Sequence, residues 1–551
     1  MRAYILLQNV LQAAVVRQGL KWPEKAGIEP PKDKAHGDLA SNVAMILGKK
    51  AGMPPRELSG RLAEEVTAAE PMIERAEVAG PGFINVFFSN AFWQQTVYDV
   101  YDQAEGYGCS QEDHDTQVQV EYVSANPTGP LHIGHARGAA VGDSLTRILR
   151  AAGYQVSTEY YLNDAGRQMS LLGTSIWARY QQVLGKETDF PENGYKGAYI
   201  LDLARELRDE QGDRLLSMEE EEAVATCREW GVGRILAGIK ADLDMFRVEH
   251  QVWFSEKDLV QSGAVEHTLR DLQDFGLAYE QDGALWFAST QFGDDKDRVL
   301  RKSDGELTYF ASDIAYHADK FYRGFDQCID VWGADHHGYV PRMRAAVQAL
   351  GRRAEDFHVV LIQLVNLLRR GEQVTMSTRS GQFETLADVV DEVGTDAARF
   401  IFLTRKSDSS LDMDLELLKE QTMDNPVYYV QYAHARICSM LAKAEERGIR
   451  AGQPEDKVLQ RLDTEEDLVL LKMLERFPDA VQGAARTLSP HHISFYLLEL
   501  AGALHRYYNR HPVLSCGQNE LARARLHLMN CVAQVVHNGL QLLGVCAPRA
   551  M

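Results

Sequence analysis

No stretch of this sequence approaches the ~20 consecutive apolar residues that would carry a helix across a bilayer, which excludes an integral helical membrane protein. No two cysteines stand at CxxC spacing. The seven cysteines are scattered and odd in number, which argues for reduced thiols in a cytoplasmic protein and against a zinc cluster. Residues 1–19 hold a short apolar stretch but keep a helical rhythm and lack a small-residue cleavage site, so they do not read as a signal peptide. Positive charge is in deficit: 58 Lys+Arg against 79 Asp+Glu leave a net charge of −21. That total counts against a nucleic-acid binder, although binding depends on local patches rather than on the sum. From residue 426 onward lysine and arginine slightly outnumber the acids, so the excess negative charge lies upstream. At 551 residues the chain is long enough for about three domains, each with its own core.

What the sequence does hold is concentrated in residues 118–153. Val118, Val120 and Tyr122 alternate with polar or acidic positions, the period of a strand. Asn126-Pro127-Thr128-Gly129-Pro130 then breaks the pattern with turn formers. From Gly134 on, Ala140, Leu145, Ile148, Leu149 and Ala152 recur at helical spacing until Gly153 closes the helix. A strand, a tight loop and a helix N-terminus make an anion site in an open α/β sheet. His132-Ile133-Gly134-His135 occupies the first turn. Two imidazoles there can donate to phosphate oxygens, and Gly134 has no side chain to keep a nucleotide away.

HIGH on such a loop is the first signature of the class I aminoacyl-tRNA synthetases, and the surrounding EYVSANPTGPLHIGHARG resembles the arginyl-tRNA synthetases in particular. A bare HxGH also occurs in small-molecule nucleotidyltransferases, against which a second signature loop and a helical C-terminal part count. The resemblance covers nearly the whole chain. It implies an α/β protein with a class I Rossmann-type nucleotide-binding catalytic core at residues 113–424, carrying a helical insertion at about 186–250. An N-terminal α/β domain (1–112) that contacts tRNA would precede the core, and an all-α anticodon-binding domain (425–551) would follow it.

In the first segment, Leu6, Val10, Ala13, Ala14 and Arg17 suggest an amphipathic helix, and Asp38 and Ser41 mark the start of a second one. Residues 78–88 read as a turn and an alternating strand. In the core, a second strand ends in YLNDAG, and the charged residues 186–250 contain no glycine-rich phosphate loop. Tyr309 and Asp313, four apart, share one helix face. The apolar run Ile329 to Trp332 breaks into Gly333-Ala334-Asp335-His336-His337-Gly338, polar groups at the end of a strand, where doubly wound sheets bind ligands. Adjacent His336 and His337 point apart and have no matched Cys or carboxylate pattern, so no metal site is expected. Val374-Thr375-Met376-Ser377-Thr378-Arg379 resembles the second class I signature, Lys-Met-Ser-Lys-Ser, with threonine at both lysine positions. Some family members compensate with a lysine where this chain has Gly129. Arg379 is then the nearest cation for the developing pyrophosphate.

The resemblance also implies a chemistry and its residues. ATP, with Mg²⁺ accompanying it and no dedicated protein metal site, would bind at Asn126, Pro127, Gly129, His132, Gly134, His135, Gly333, Asp335, His336, Met376 and Ser377. His132, His135 and Arg379 would be catalytic. L-Arginine would lie against Glu121, Asn126, His132, Tyr309 and Asp313, the last two at its guanidinium. A planar fork of five donors calls for carboxylates. A buried Glu121 without a partner would be costly, and substrate is a plausible partner; a structural salt bridge is the alternative reading for both carboxylates. Tyr428, Tyr432, Arg436, Tyr507, Tyr508 and the terminal Met551 would meet tRNA-Arg, since aromatics beside cations suit stacking on unpaired bases. A tyrosine stripe at helical spacing is also a core pattern. The expected protein is a cytoplasmic monomer.

Overall fold

The computed structural model describes residues 2–110, 115–373, 384–515 and 519–551. In the N-terminal part, the helix Arg2–Arg17 buries Ala3, Leu7, Leu11, Ala14 and Val15. The inward face is therefore rotated from the expected one: Ala13 and Arg17 are exposed, while Leu6 and Val10 are half-buried. The Glu475 carboxylate accepts the Ala3 N–H (3.0 Å), tying this face to the C-terminal helices. Residues Leu39–Ser41, expected to start a helix, form a strand paired with Ile84, Asn85 and Val86. Asp38 caps no helix; it accepts the Phe88 N–H (2.9 Å) and meets Lys472 (2.5 Å). The helix begins at Val43. Four antiparallel strands, in the order Ile28–Glu29, Leu39–Ser41, Phe83–Phe88, Ile73–Ala79, complete this part.

The central sheet has five parallel strands: β1 (Gln117–Glu121), β2 (Gln155–Leu162), β3 (Val252–Ser255), β4 (Gln327–Gly333) and β5 (Phe357–Ile362). Their order is β5-β4-β1-β2-β3. Chain direction across the sheet reverses between β1 and β4, and ligands of such sheets bind at the carboxyl ends flanking that point. Helix α1 (Ile133–Ala152) follows β1 and crosses it closely. A Cβ at Gly142 would lie 2.3 Å from the Tyr122 ring, so glycine permits the approach.

Register puts Asp330 of β4 opposite Glu121 of β1, and Glu121 opposite Glu159 of β2. Neighbours in register face the same side. This acidic row is covered by α2 (Tyr309–Tyr322). Lys320 reaches Glu121 (2.7 Å) and Asp330 (2.8 Å), and His317 reaches Asp330 (3.0 Å). Arg323 forks onto Glu159 (2.6 and 3.0 Å), which also accepts from Tyr316 (2.5 Å). Burial works against the ammonium of Lys320, but Asp330 and Glu121 hold its pKa above the usual value. Burial likewise opposes ionisation of Asp330, yet Lys320 and His317 hold it at about 2.

The insertion is helical, with Ala198–Gln211 and Glu220–Met245. A three-stranded antiparallel sheet, Ala278–Gln281, Ala284–Phe287 and Arg298–Arg301, was not foreseen. Its strands are four residues each and carry little periodicity. The C-terminal part packs the helices Pro426–Glu446, Glu465–Glu475, Phe477–Arg486, His491–Arg510 and Asn519–Leu542. Buried Arg399 ties it to the core: its guanidinium donates to Leu543 O (3.0 Å) and Phe246 O (2.8 Å) and pairs with Asp143 of α1. Removing one partner of such a buried pair strands the other charge.

Candidate active site

The loop after β1 is strained. Val123 and Ser124 have φ of 69° and 42°, a region that costs a branched residue such as valine of order 1–3 kcal/mol. The Ser124 hydroxyl holds it there, donating to Glu121 Oε1 (3.0 Å) and accepting the Tyr161 N–H (3.1 Å). The loop then presents Asn126, whose amide donates to Gln168 (2.9 Å), and Gly129, where a Cβ would meet the Tyr199 ring at 3.2 Å. The Tyr199 hydroxyl donates to Thr128 O (2.7 Å), so the first helix of the insertion covers this loop. Lysine at position 129 would contend with that ring.

His132 is the N-cap of α1. Its Nδ1 accepts the Gly134 N–H (3.1 Å), and His135 Nδ1 accepts the His132 N–H (3.3 Å). The rings stack at 3.7 Å. In a neutral imidazole one nitrogen accepts and the other carries the proton. Both Nδ1 atoms accept, so both Nε2 atoms carry a proton. Burial lowers the pKa of both, that of His135 to about 3 with help from His132. The pair is thus a neutral double donor at the positive end of a 20-residue helix. Behind it, buried Arg137 donates to three carbonyls, Gln363 (2.8 Å), Ser409 (2.8 Å) and Lys406 (3.0 Å). Burial lowers its pKa to about 10, which leaves it charged at neutral pH.

Gly333 ends β4, and Asp335 and His336 lie in the 3₁₀ turn Ala334–Tyr339, both exposed. They therefore share the carboxyl edge with the loop after β1. Thr375, Met376, Ser377, Thr378 and Arg379 lie outside the described residues. The chain beyond them is stitched to the first signature: Thr385 bridges His132, and the Leu386 N–H donates to Leu131 O (2.8 Å).

For the amino-acid side, Glu121 has protein partners, in line with the salt-bridge alternative. Lys320 and Ser124 engage both its oxygens, and the register of β1 with β4 explains why. Asp313 differs. It accepts from the Tyr339 hydroxyl but forms no ion pair among the described residues. Sequence reasoning missed its companion, Glu256, which is buried at the end of β3 and is also without an ion pair among the described residues. Burial, then the charge of Asp313, raises the Glu256 carboxyl; burial raises that of Asp313. The signal for Glu256 was its place just after an apolar VWF run, but nothing in sequence brings β3 to α2. Tyr309 opens the same helix, 67% exposed.

Around the C-terminal helices a cavity of about 590 Å³ is lined by Tyr432, Arg436, Lys443, Arg447, Tyr508 and Met551. Tyr428 stacks on Tyr432 (5.7 Å, 8°), and Arg436 covers Tyr508 at 3.7 Å. Tyr507 is the exception. It is 1% exposed, with its hydroxyl on Asp467 (2.7 Å), so it packs the core and does not offer a stacking face.

A parallel sheet reversing between β1 and β4, with a stacked histidine cap at that reversal, is the catalytic fold of the class I tRNA synthetases. The family model for "tRNA synthetases class I (R), catalytic domain" matches residues 97–439. The models for the arginyl tRNA synthetase N-terminal domain and the DALR anticodon binding domain match residues 5–88 and 430–551. Arginine–tRNA ligases of Solidesulfovibrio magneticus and Oleidesulfovibrio alaskensis are 60% and 59% identical, each over 100% of both chains. The structure of Thermus thermophilus arginyl-tRNA synthetase shares the fold, with TM-score 0.75 and 24% identity over 99% of each chain. The chain belongs to the arginine–tRNA ligase family.

Proposed function

We propose that this chain charges tRNA-Arg with L-arginine for protein synthesis, using ATP, as a cytoplasmic monomer. The arginine carboxylate attacks the α-phosphate of ATP to give arginyl-adenylate and pyrophosphate. The terminal ribose hydroxyl of the tRNA then attacks the arginyl carbonyl and releases AMP. No covalent enzyme intermediate is needed, so positioning and preorganised donors supply the rate.

In this reading Asn126, Pro127, Gly129, Gly134, Gly333, Asp335 and His336 surround ATP, and Met376 and Ser377 contact it as well. His132 and His135, whose protonation burial disfavours, donate Nε2–H to the phosphates. Arg379 supplies positive charge to the leaving pyrophosphate. Magnesium enters with the nucleotide, held by its phosphate oxygens and water. Glu121 and Asn126 lie toward the backbone of the arginine, and Tyr309 flanks it.

The observation that carries the substrate is the carboxylate pair of half-buried Asp313 and buried Glu256, beside the strand ends and without a cation among the described residues. Two carboxylates whose ionised forms are opposed by burial, one of them also by the other's charge, make a receptor for a cation, and a planar guanidinium can fork between them. The ammonium of lysine is a point charge and cannot. ATP–pyrophosphate exchange with each standard amino acid, with and without tRNA, tests this. Exchange should appear with arginine alone. Exchange with another amino acid, or none with tRNA present, would refute it.

A further inference from the structure

The geometry points to Tyr339 as a positioning residue for arginine recognition: its hydroxyl fixes one oxygen of Asp313 and leaves the other for the guanidinium. This rests on the proposed role of Asp313. Tyr339 closes the 3₁₀ turn after β4, and its hydroxyl donates to Asp313 Oδ2. The ring has little freedom. Phe310 meets it edge-on (5.9 Å, 84°), Trp332 packs at 5.9 Å, and the Arg342 guanidinium lies 4.8 Å over it. The hydroxyl is thereby held at one place against a carboxylate that could otherwise rotate.

A phenol suits this post better than a base would. It supplies a strong donor to the charged form without cancelling the charge, whereas Lys320 neutralises Glu121 next door. Burial, then the nearby Asp313 charge, keeps the phenol's pKa well above its ordinary value, so it remains a donor. The groups facing Asp313 are His317 and Lys320 from α2 and Asp330 from β4. Glu256 after β3 and Tyr161 of β2 face it as well, and Arg298 faces Tyr339. Lys320 and His317 are committed to Glu121 and Asp330. Among the described residues, Tyr339 is the side chain that hydrogen-bonds the Asp313 carboxylate. Losing that donor disfavours the ionised form, which moves the Asp313 titration, and with it the acid limb of arginine binding, to higher pH.

The test is Tyr339→Phe in the full-length chain, which keeps the ring and removes the hydroxyl. Arginine and ATP KM values and kcat are measured by tRNA aminoacylation from about pH 5.5 to 8. Arginine KM should rise about tenfold, the scale of one hydrogen bond to a charge, with ATP KM and kcat unchanged within about threefold. The arginine effect should widen as pH falls. Tyr339→Phe added to Asp313→Asn should cost little beyond Asp313→Asn alone, because one acts through the other. The inference is overturned by an unchanged arginine KM in Tyr339→Phe, by arginine and ATP KM rising together with a lowered Tm, or by additive losses in the double variant. An unchanged arginine KM in Asp313→Asn alone overturns the pocket itself and this inference with it.

Discussion

Asp330, Glu121 and Glu159 form a row across three strands in which Lys320, His317, Arg323 and Tyr316 engage every carboxylate. One helical turn along α2, Asp313 and Glu256 have no basic partner among the described residues. Both groups are acids of one domain set against one helix, yet the protein completes one and leaves the other without a cation among the described residues. Buried charge without a counter-charge opposes folding, so it persists only where the surrounding structure holds it in place. The row fastens α2 to the sheet. The open pair lies at the carboxyl edge of the sheet, Glu256 directly after β3, and in the proposed function a cationic substrate supplies what the protein omits.

The contrast breaks first at Asp313. Asp313→Asn should lower kcat/KM for arginine by roughly 10³-fold, the loss of two charge-assisted hydrogen bonds, in steady-state aminoacylation. Asp330→Asn should instead destabilise the protein by about 3 kcal/mol, because it removes the charge that both Lys320 and His317 engage in a buried network, read from denaturant unfolding. The pH dependences differ in sign. The Asp330 carboxyl is depressed to about 2, so its stabilisation is present above the ordinary carboxylate range and lost as pH falls toward that value. The Asp313 carboxyl is raised, so its ionisation costs stability as pH rises through its titration, and Asp313→Asn should gain most at neutral pH. At the electroneutral part of the site, His132→Ala or His135→Ala should slow adenylate formation by about 10²-fold with little change in Tm. Equal losses of Tm and rate would make the stacked cap structural. The tyrosines of the C-terminal helices sharpen the same distinction. Tyr432→Ala should raise the tRNA KM about tenfold through lost stacking. Tyr507→Phe should leave it unchanged and cost about 1 kcal/mol of stability.

Much of this was legible in the residues. The strand–loop–helix of 118–153 was written in alternation, turn formers and helical spacing, and β1 and α1 fall there. Pairing across the sheet was not. Glu121 reads as a lone carboxylate until β4 is laid beside β1 and Asp330 and Lys320 arrive together. Glu256 reads as an ordinary helix start after Ser255 until β3 takes the edge next to β2. Short elements hid for another reason. The three residues Leu39–Ser41 follow Asp38, a cap-former, and only pairing with Val86 and Asn85 makes them a strand. Tyr507 and Tyr508 are adjacent and chemically alike, and helix rotation sends one inward to Asp467 and the other to the cavity.

In the proposed function Asp313 and Glu256 are carboxylates awaiting a cation. The most direct measurement is the Tm at neutral pH of the parent, Asp313→Asn and Glu256→Gln, each with and without saturating arginine. Each variant should melt no lower than the parent when unliganded, and arginine, which should raise the parent Tm, should fail to raise theirs. Variants that melt well below the parent yet are still stabilised by arginine would show these carboxylates to be structural and would contradict the account.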